Sequence, residues 1–299
     1  MFNKIDAIKG VINNFNSNPY VKKNKTKVLL RIFLWQIKSR LKNNITVTWI
    51  NNLKINISQG DTGFTGNIYY GLQDYDDMLF AIRFLGNNDL FIDVGANCGS
   101  YSILASMVSE AEVIAFEPNT ATFLKLKKNI ELNYSGEKIQ LRKIGISNKI
   151  GRESITINGG PKNFIVDRLS KENTELIAVS TLNAELQNLQ PTFLKIDVEG
   201  HEIQVLEGAT EILKNKGVSV VIVEANGMTE RYGYSDNYIS NFVKNFGFTQ
   251  CVYDKDNNKV RESSKIIPGN TIFIRSIEFV NTKLQNGQNK KIDFFTIKI

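Results

Sequence analysis

The sequence predicts an α/β fold: a doubly wound, mostly parallel sheet with antiparallel strands at its C-terminal edge, preceded by an extension of helix and short strands. Two observations support this fold class. Between residues 89 and 246, short apolar runs alternate with segments whose apolar residues recur at helical spacing. The runs are apolar along most of their length, as in parallel strands that helices cover on both faces. "GFTQCVY" and "GNTIFIRS" then follow without a convincing helix between them, which indicates antiparallel closing strands.

Each element is placed from its apolar pattern and from the turn residues that bound it. The predicted strands lie at 89–94, 112–116, 139–144, 176–179, 192–197 and 218–224. The predicted helices lie at 75–85, 101–109, 119–133, 202–214 and 236–246. Short strands and turns are predicted over 46–72 and a loose polar segment over 281–291. We therefore divide the chain into an N-terminal cap region of basic helix and short strands (1–87), the sheet domain (88–280) and a polar C-terminal tail (281–299).

A helix that is both basic and apolar is predicted over "KTKVLLRIFLWQIKSRLK" (25–42). Its apolar stripe consists of Leu30, Phe33, Leu34, Ile37 and Leu41. A basic stripe beside it consists of Lys27, Arg31, Lys38 and Lys42. We expect the helix to be buried against the body or a second subunit, because interfacial helices normally keep a wide polar face. Peripheral contact of residues 26–42 with an anionic membrane is the alternative.

Composition and charge exclude several function classes. The 299 residues are 42% apolar and 22% charged, as in an ordinary globular protein. Ten of the 37 basic residues, but a single acid, lie in the first 45, so the body is nearly neutral and nucleic acid is not an expected partner. We expect neither a membrane span nor a secretory signal, since no apolar run has the required length or position. Cys98, Cys251 and His201 give no metal-ligand spacing, so we expect a cytoplasmic protein without a metal.

The stretch "DVGANCGS" (93–100) follows directly on the first strand of the alternating series. In doubly wound sheets, ligands bind at the carboxyl ends of strands, near the point where the strand order reverses. Gly95 and Gly99 can adopt positive φ and admit a ligand to the backbone, and Asn97 can adopt a left-handed conformation or donate from its amide. The alternative is a tight turn that serves only the chain itself.

A second element favours the ligand. Glu117 ends the next strand, 22 residues after Gly95. An acid at this place can accept hydrogen bonds from both hydroxyls of a ribose, so turn and acid together predict an adenosine-type cofactor. Asp93 would repel a pyrophosphate but suits a cationic sulfonium that also carries an ammonium group. The sequence therefore predicts S-adenosyl-L-methionine as the cofactor.

Several motifs in register resemble one family. "FIDVGANCGSYSILA", "VIAFEPNTATFLKLKKNIELN", "IGISNKIG", "VSTLNAEL" and "FLKIDVEGHEIQVLEGA" occur in the order and spacing of the FkbM family of S-adenosylmethionine-dependent methyltransferases. The resemblance is close over residues 88–225. It implies a class I methyltransferase fold, which is Rossmann-like, and methylation of a hydroxyl on a carbohydrate, glycolipid or glycosylated small molecule. It also implies the cofactor contacts Asp93, Gly95, Asn97, Gly99, Glu117 and Asn119.

"FLKIDVEGHE" (193–202) places charges in an apolar strand. Lys195 and Asp197 share one face because side chains alternate along a strand, and Glu199 continues past its end. Glu224, closing the next strand, should lie near the same edge of the sheet. The cluster is either a structural ion-pair network or part of the site, and its place at the ligand edge favours the site.

Removal of the hydroxyl proton calls for a general base. Asp197 is our first candidate for the base or for the group that orients the acceptor, and Glu199 is the second. His201 is the third, although a solvated or capping role is equally natural at the start of a helix. In "GLQDYDDM", Asp74 or Tyr75 could reach the acceptor, but acids are also favoured at a helix N-terminus.

Two other functions stay open at this point. The basic N-terminal arm could hold the phosphates of an RNA, which would make the chain an RNA methyltransferase. The chain could instead be a non-catalytic module that only binds the cofactor. Asp197 and Glu117 are both present, which favours the enzyme.

Overall fold

The computed structural model describes residues 15, 18–133, 137–157, 163–166, 173–264, 269–287 and 290–298. The strands are β1 Ile45–Thr48, β2 Lys54–Ile57, β3 Leu90–Val94, β4 Glu112–Phe116, β5 Ile139–Arg142, β6 Gly145–Ile146, β7 Gly151–Thr156, β8 Ile165–Val166, β9 Thr174–Ser180, β10 Phe193–Ile196, β11 Val220–Ala225, β12 Thr249–Asp254, β13 Lys259–Glu262 and β14 Gly269–Ile274. The α-helices are α1 Pro19–Lys23, α2 Lys25–Leu41, α3 Thr62–Tyr70, α4 Tyr75–Phe84, α5 Ser100–Ile103, α6 Thr120–Glu131, α7 Leu182–Glu185, α8 Glu202–Glu207, α9 Thr210–Lys214, α10 Asp236–Lys244 and α11 Ile277–Asn286. A π-helical turn, Leu104–Val108, continues α5.

The central sheet has the strand order β13-β12-β14-β11-β10-β3-β4-β5. The five strands from β11 to β5 are parallel, and β14 runs antiparallel to β11 and β12. The predicted parallel sheet with antiparallel C-terminal pairing is confirmed, and the structure adds that β14 is inserted between β11 and β12 while β13 forms the edge. The chain winds outward from β3 in one direction and then from β10 in the other. The order therefore reverses between these two strands.

Helices and loops cover both faces of this sheet, each with its own apolar core. On one face Phe193 lies beside Phe91 in the register of the sheet and packs against Phe91 and against Phe80 and Phe84 of α4. On the other face, apolar residues of the same strands pack against α8, α9 and α10. α1, α2 and α3 share the first of the two cores. Of the helices that the structure describes, none has the length and apolar character of a bilayer span.

The N-terminal helix α2 forms where the sequence predicts it, but its expected orientation is wrong in part. Val28, Arg31, Trp35 and Ser39 are its buried residues. The apolar stripe from Leu30 to Leu41 is instead mostly exposed. The reason is that Trp35 and Val28 fill the core, and Arg31 of the expected basic stripe donates to Tyr20 Oη and to the carbonyl oxygen of Phe294. Burial of the stripe against the body is therefore excluded.

Residues 62–70 form a helix, α3, where short strands and turns were predicted. The glycines in "GDTGFTGNIYYG" indicated turns, but they serve close packing. A Cβ at Gly66 would lie 2.3 Å from Gln73 Oε1, and one at Gly63 would lie 2.8 Å from Asn97 Nδ2. Phe64 and Ile68, four residues apart, are fully buried on one side of the helix.

Three further predictions need correction. The predicted strand 176–179 belongs to a separate sheet, in which β9 lies between β6 and β7 and β8 forms the far edge. The predicted helix 202–214 is divided into α8 and α9 at Gly208 and Ala209, and at Gly208 the chain passes so close to Ser147 that a Cβ would lie 2.1 Å from the Ser147 carbonyl oxygen. The segment predicted as loose at 281–291 begins inside α11, where Leu284 is buried and Lys283 forms an ion pair with Asp89, 2.6 Å apart.

Candidate active site

A cavity of about 650 Å³ opens at the carboxyl ends of β3, β4, β10 and β11, where the strand order reverses. Asn18 and Asn67, from the N-terminal region, line one wall. Ile155 and Ile177, from the second sheet, line another. Most of the residues predicted for the site lie in or beside this cavity.

The glycines of the 93–100 turn are required first by the close packing of the chain around them. Gly95 has φ +83°, and a Cβ there would lie 1.9 Å from the carbonyl oxygen of Asp197. Gly99 has φ +94°, and a Cβ there would lie 2.7 Å from Leu126 Cδ1. Gly95 and Asn97, which has φ +50°, also line the cavity, whereas Gly99 lies outside its lining. The close contact of the strand ends therefore accounts for Gly95, and Gly95 at the same time leaves its backbone open to the cavity.

Glu117 is held at the end of β4 by two backbone donors. Its Oε1 accepts from the Asn119 N–H at 2.9 Å, and its Oε2 accepts from the Asn97 N–H at 3.1 Å. Burial raises the pKa of this carboxyl to about 7, against the opposing effect of the two hydrogen bonds. Since each oxygen keeps further acceptor capacity, the group can receive two more donors from the cavity.

Asn119 positions Glu117 rather than lining the cavity. Its side-chain Oδ1 accepts from the Thr122 N–H at 3.0 Å and so caps α6. Its Nδ2 donates to Glu175 Oε2 at 3.2 Å. In this structure Asn119 therefore contributes to the turn through its backbone and to the helix through its side chain.

Asp93 is buried in β3 and accepts from Ser102 Oγ at 2.6 Å. Burial raises the pKa of Asp93 to about 6, while Ser102 and Lys195 act in the opposite direction. Asp93 lies beside Lys195 in the register of the sheet. Asp93, in the strand that precedes the 93–100 turn, therefore interacts electrostatically with Lys195 of the 193–202 motif.

Lys195, Asp197 and Glu224 form a connected charge cluster in the cavity wall. The Lys195 ammonium lies 2.9 Å from Asp197 Oδ2 and 5.1 Å from the centre of the Tyr101 ring. Burial alone lowers the pKa of Lys195, but Asp197 and Glu224 more than offset this and raise it. Lys195 and a hydrogen bond from Glu224 outweigh burial at Asp197 and lower its pKa, whereas burial and Asp197 raise the pKa of Glu224 well above its ordinary range. At neutral pH, Asp197 is thus the carboxylate and Glu224 the proton donor.

Glu199 joins this cluster. Oxygens of Asp197, Glu199 and Glu224 lie within 4.8 Å of one another, close enough to ligate one cation. Glu199 has φ +54°, a left-handed conformation that non-glycine residues rarely adopt. Such strain is often stored where a side chain must be aimed at a site.

His201 lines the cavity but has partners on the side of the second sheet. Its Nε2 lies 3.1 Å from Ser147 Oγ and 3.6 Å from Glu153 Oε2, and its ring packs edge-on against Tyr232. The side chain is buried and makes no capping hydrogen bond among the described residues, so neither the solvated nor the capping role is correct. Burial lowers its pKa to about 4, so the imidazole is neutral at physiological pH.

The acids of "GLQDYDDM" lie in the cavity wall. In the described structure Asp74 makes no side-chain cap to α4, and its Oδ2 instead accepts from Tyr101 Oη at 3.4 Å. Asp77 accepts from Asn270 Nδ2 at 3.1 Å, and burial raises its pKa to about 7. Sequence analysis missed Tyr101, Ser102 and Asn270. Asn270 carried no local signal, since only the insertion of β14 beside β11 places it here.

The site can now be compared with known proteins. Residues 93–250, just over half of the chain, match the sequence model of the methyltransferase FkbM domain. Hexuronic acid methyltransferase AglP of Haloferax volcanii is 34% identical over 143 residues, which cover 46% of this chain and 56% of that protein. Methyltransferase sdnD of Sordaria araneosa is 23% identical over 172 residues, or 46% of this chain and 66% of that protein. The chain thus spans between about half and two thirds of these relatives.

A crystal structure of methyltransferase FkbM from Methylobacillus flagellatus aligns with 83% of this chain and 60% of its own, at 12% identity and a TM-score of 0.44. The predicted family and the predicted enzyme class, methyltransferase, are confirmed by the domain match and the curated relatives. The chain belongs to the FkbM family of methyltransferases.

Proposed function

We propose that this methyltransferase uses S-adenosylmethionine and methylates a hydroxyl of a carbohydrate, glycolipid or glycosylated small molecule. The observation that carries the proposal is that one cavity is lined both by Glu117 with the Gly95 turn and by the cluster of Lys195, Asp197 and Glu224. The hexuronic acid methyltransferase among the relatives supports a sugar acceptor.

The residues present fit the cofactor. The Glu117 oxygens, each held by one backbone N–H, retain acceptor capacity for the two ribose hydroxyls. Of the described residues that line the cavity, eight are aspartate or glutamate and one, Lys195, carries a fixed positive charge. With Glu224 protonated, acidic groups still outnumber the single fixed cation, and this excess attracts a sulfonium and repels a pyrophosphate. We propose that Asp93, Gly95, Asn97 and Glu117 form the binding surface, with Gly99 and Asn119 shaping it from behind.

The bound cofactor supplies a methyl group on a positively charged sulfur. The protein must hold the acceptor oxygen in line with that methyl, and such positioning can lower the barrier by about 7–11 kcal/mol. We propose that Asp197 accepts the hydrogen bond of the acceptor hydroxyl and takes its proton. Lys195 keeps Asp197 ionised, and Glu224 donates to it. Glu199, within reach of the same oxygens, is the second candidate.

His201 ranks third in this proposal. Its lowered pKa makes the imidazole a weak proton acceptor, and its Nε2 already faces Ser147 and Glu153. We also propose that residues 1–87 form a cap that closes the acceptor side of the cavity through Asn18, Asn67 and Asp74.

We place the reaction in the cytoplasm, where the cofactor is made.

Transfer of a labelled methyl group tests the proposal. The wild-type protein is incubated with methyl-labelled S-adenosylmethionine and with neutral sugars, amino sugars, uronic acids or total RNA as separate acceptors. We expect label in a saccharide, at a position where an alkali-stable ether forms. Label in RNA alone would support the RNA methyltransferase, and cofactor binding without transfer to any acceptor would support the non-catalytic module.

A further inference from the structure

The exposed side of α2 is an apolar surface that the methyl-transfer site does not use. We call Leu30, Phe33, Ile37 and Leu41 the α2 apolar face; they are 56%, 61%, 42% and 77% exposed. At about 100° per residue, the four fall within a sector of about 80°. Leu29 beside them is also exposed, and these five make up five of the twelve exposed large apolar side chains in the described part of the chain. The exposure is therefore concentrated on one helix.

The helix cannot turn this face inward, because its opposite side is fixed. Trp35 and Val28 are buried in the core. Arg31 donates to Tyr20 Oη at 2.6 Å and to the Phe294 carbonyl oxygen at 3.3 Å. Any rotation that buried the α2 apolar face would remove these groups from their partners. The face is therefore held outward by the fold.

Positive charge surrounds the α2 apolar face. The exposed cations of α1, α2 and their junctions are Lys22, Lys23, Lys25, Lys27, Lys38, Arg40 and Lys42. By helical geometry, Lys27 and Lys38 border the face on one side and Arg40 borders it on the other. The sequence has no acidic residue between Asp6 and Asp61. An apolar strip with exposed cations on both sides fits an anionic lipid surface, where the strip enters the acyl boundary and the cations meet phosphates.

We propose that α2 docks this enzyme on an anionic lipid bilayer, lying in the plane of the interface with the α2 apolar face inserted. A second copy of the chain fits less well, because a twofold contact would bring two such sets of exposed cations together. RNA would engage the cations but leave Leu30, Phe33, Ile37 and Leu41 in water. Each Lys or Arg near the surface and each inserted side chain adds to the affinity.

The docking helix α2 contacts α3, which contributes to the wall of the cavity. Gln36 Nε2 of α2 donates to Tyr69 Oη of α3 at 3.2 Å, and Asn67 of α3 lines the cavity. The inference rests on the surface of α2 and does not depend on the proposed acceptor or cofactor.

Co-sedimentation with large vesicles tests the proposal on the full chain. One vesicle population is phosphatidylcholine alone, and in the other about a third of the lipid is phosphatidylglycerol. We expect the protein to bind the anionic vesicles, with the bound fraction falling as salt rises. Its affinity for the neutral vesicles should be lower by about tenfold or more. Leu30→Ser with Phe33→Ser should weaken binding to anionic vesicles by about tenfold or more.

The matched control is Leu124→Ser with Phe279→Ser, which removes one leucine and one phenylalanine that are 61% and 52% exposed elsewhere. It should bind like the wild type. Lys27→Glu with Lys38→Glu provides a second test that leaves the apolar face intact, and it should also reduce binding. Unchanged melting temperatures would show that all variants fold.

Three results would overturn the proposal: wild-type binding to anionic vesicles by the Leu30 and Phe33 variant, equal binding to neutral vesicles, or no vesicle binding at low salt. Light scattering after gel filtration identifies the competing occupant. A dimer that this variant converts to a monomer, without vesicle binding by the wild type, would assign the face to a second copy.

Discussion

Three carboxylates in one cavity differ in protonation because their partners differ. Glu117 faces two backbone N–H groups, Asp197 faces an ammonium, and Glu224 faces another carboxylate. Burial raises the pKa of each, but only at Asp197 do the partners outweigh it. This is why, of Asp197 and Glu224, Asp197 is the one available as a hydrogen-bond acceptor at neutral pH.

Asp197→Asn should reduce the turnover number by about 10²–10⁴-fold, since an amide cannot take the hydroxyl proton. Its affinity for S-adenosylmethionine should change little, because the ribose side of the cavity is untouched. Steady-state kinetics with labelled cofactor and calorimetry measure the two quantities. Glu211→Gln, at an exposed position, serves as the control. Wild-type turnover in the Asn variant would exclude Asp197 as the base.

The raised pKa of Glu117 predicts how the unfolding free energy of the cofactor-free protein depends on pH. In the folded state it is raised from 4.5 to about 7, so the folded protein keeps a proton that the unfolded chain has released. The stability contribution of this group is therefore fully present below pH 4.5 and is lost as the pH rises through 7. Relative to Glu117→Gln, the wild type should lose about 3 kcal/mol of unfolding free energy across that window. Urea unfolding at several pH values tests this, and parallel pH curves would contradict it.

At the scale of elements, the turn after β3 packs closely against the end of β10. Gly95→Ala should cost several kcal/mol, because it combines a left-handed backbone with a Cβ 1.9 Å from the Asp197 carbonyl oxygen. Gly233 has nearly the same φ, +82°, with nothing within 4 Å of an added Cβ. Gly233→Ala should therefore cost only about 1 kcal/mol. Urea unfolding compares the two, and equal losses would show that the contact with Asp197 does not matter.

The orientation of α2 can be tested in the same way. Trp35 is 3% exposed and Phe33 is 61% exposed. Trp35→Ala should lower the unfolding free energy by about 3–5 kcal/mol, and Phe33→Ala by no more than about 0.5 kcal/mol. Thermal or urea unfolding measures both. The reverse order would mean that the apolar stripe, and not Trp35, faces the core.

Elements with one strong local pattern could be predicted, and those that depend on distant contacts could not. The strands ending at Val94, Phe116 and Ile196 are apolar along most of their length, and their order along the chain indicated a parallel sheet. The helix α3 was missed because its glycines are required by Gln73 and Asn97, which lie outside it. The orientation of α2 about its axis was missed because it depends on the hydrogen bonds that Arg31 donates to Tyr20 Oη and to the Phe294 carbonyl oxygen.

At the scale of the whole molecule, the sheet brings the two sequence motifs to one cavity. The 93–100 turn and the 193–202 motif are about a hundred residues apart, yet their strands are neighbours in register. The motifs and their common edge were therefore predictable from the order of the strands. The contribution of Asp77, Tyr101 and Asn270 was not, because it arises from the packing of α4 and the insertion of β14.

Titration calorimetry of S-adenosylhomocysteine with wild-type protein and Glu117→Ala tests the central claim most directly. If the ribose hydroxyls bind the Glu117 carboxylate in this cavity, the wild type binds and the variant loses about tenfold or more in affinity, as for the loss of charge-assisted hydrogen bonds. Equal affinity in the two proteins would contradict the assignment of this cavity to the methyl donor.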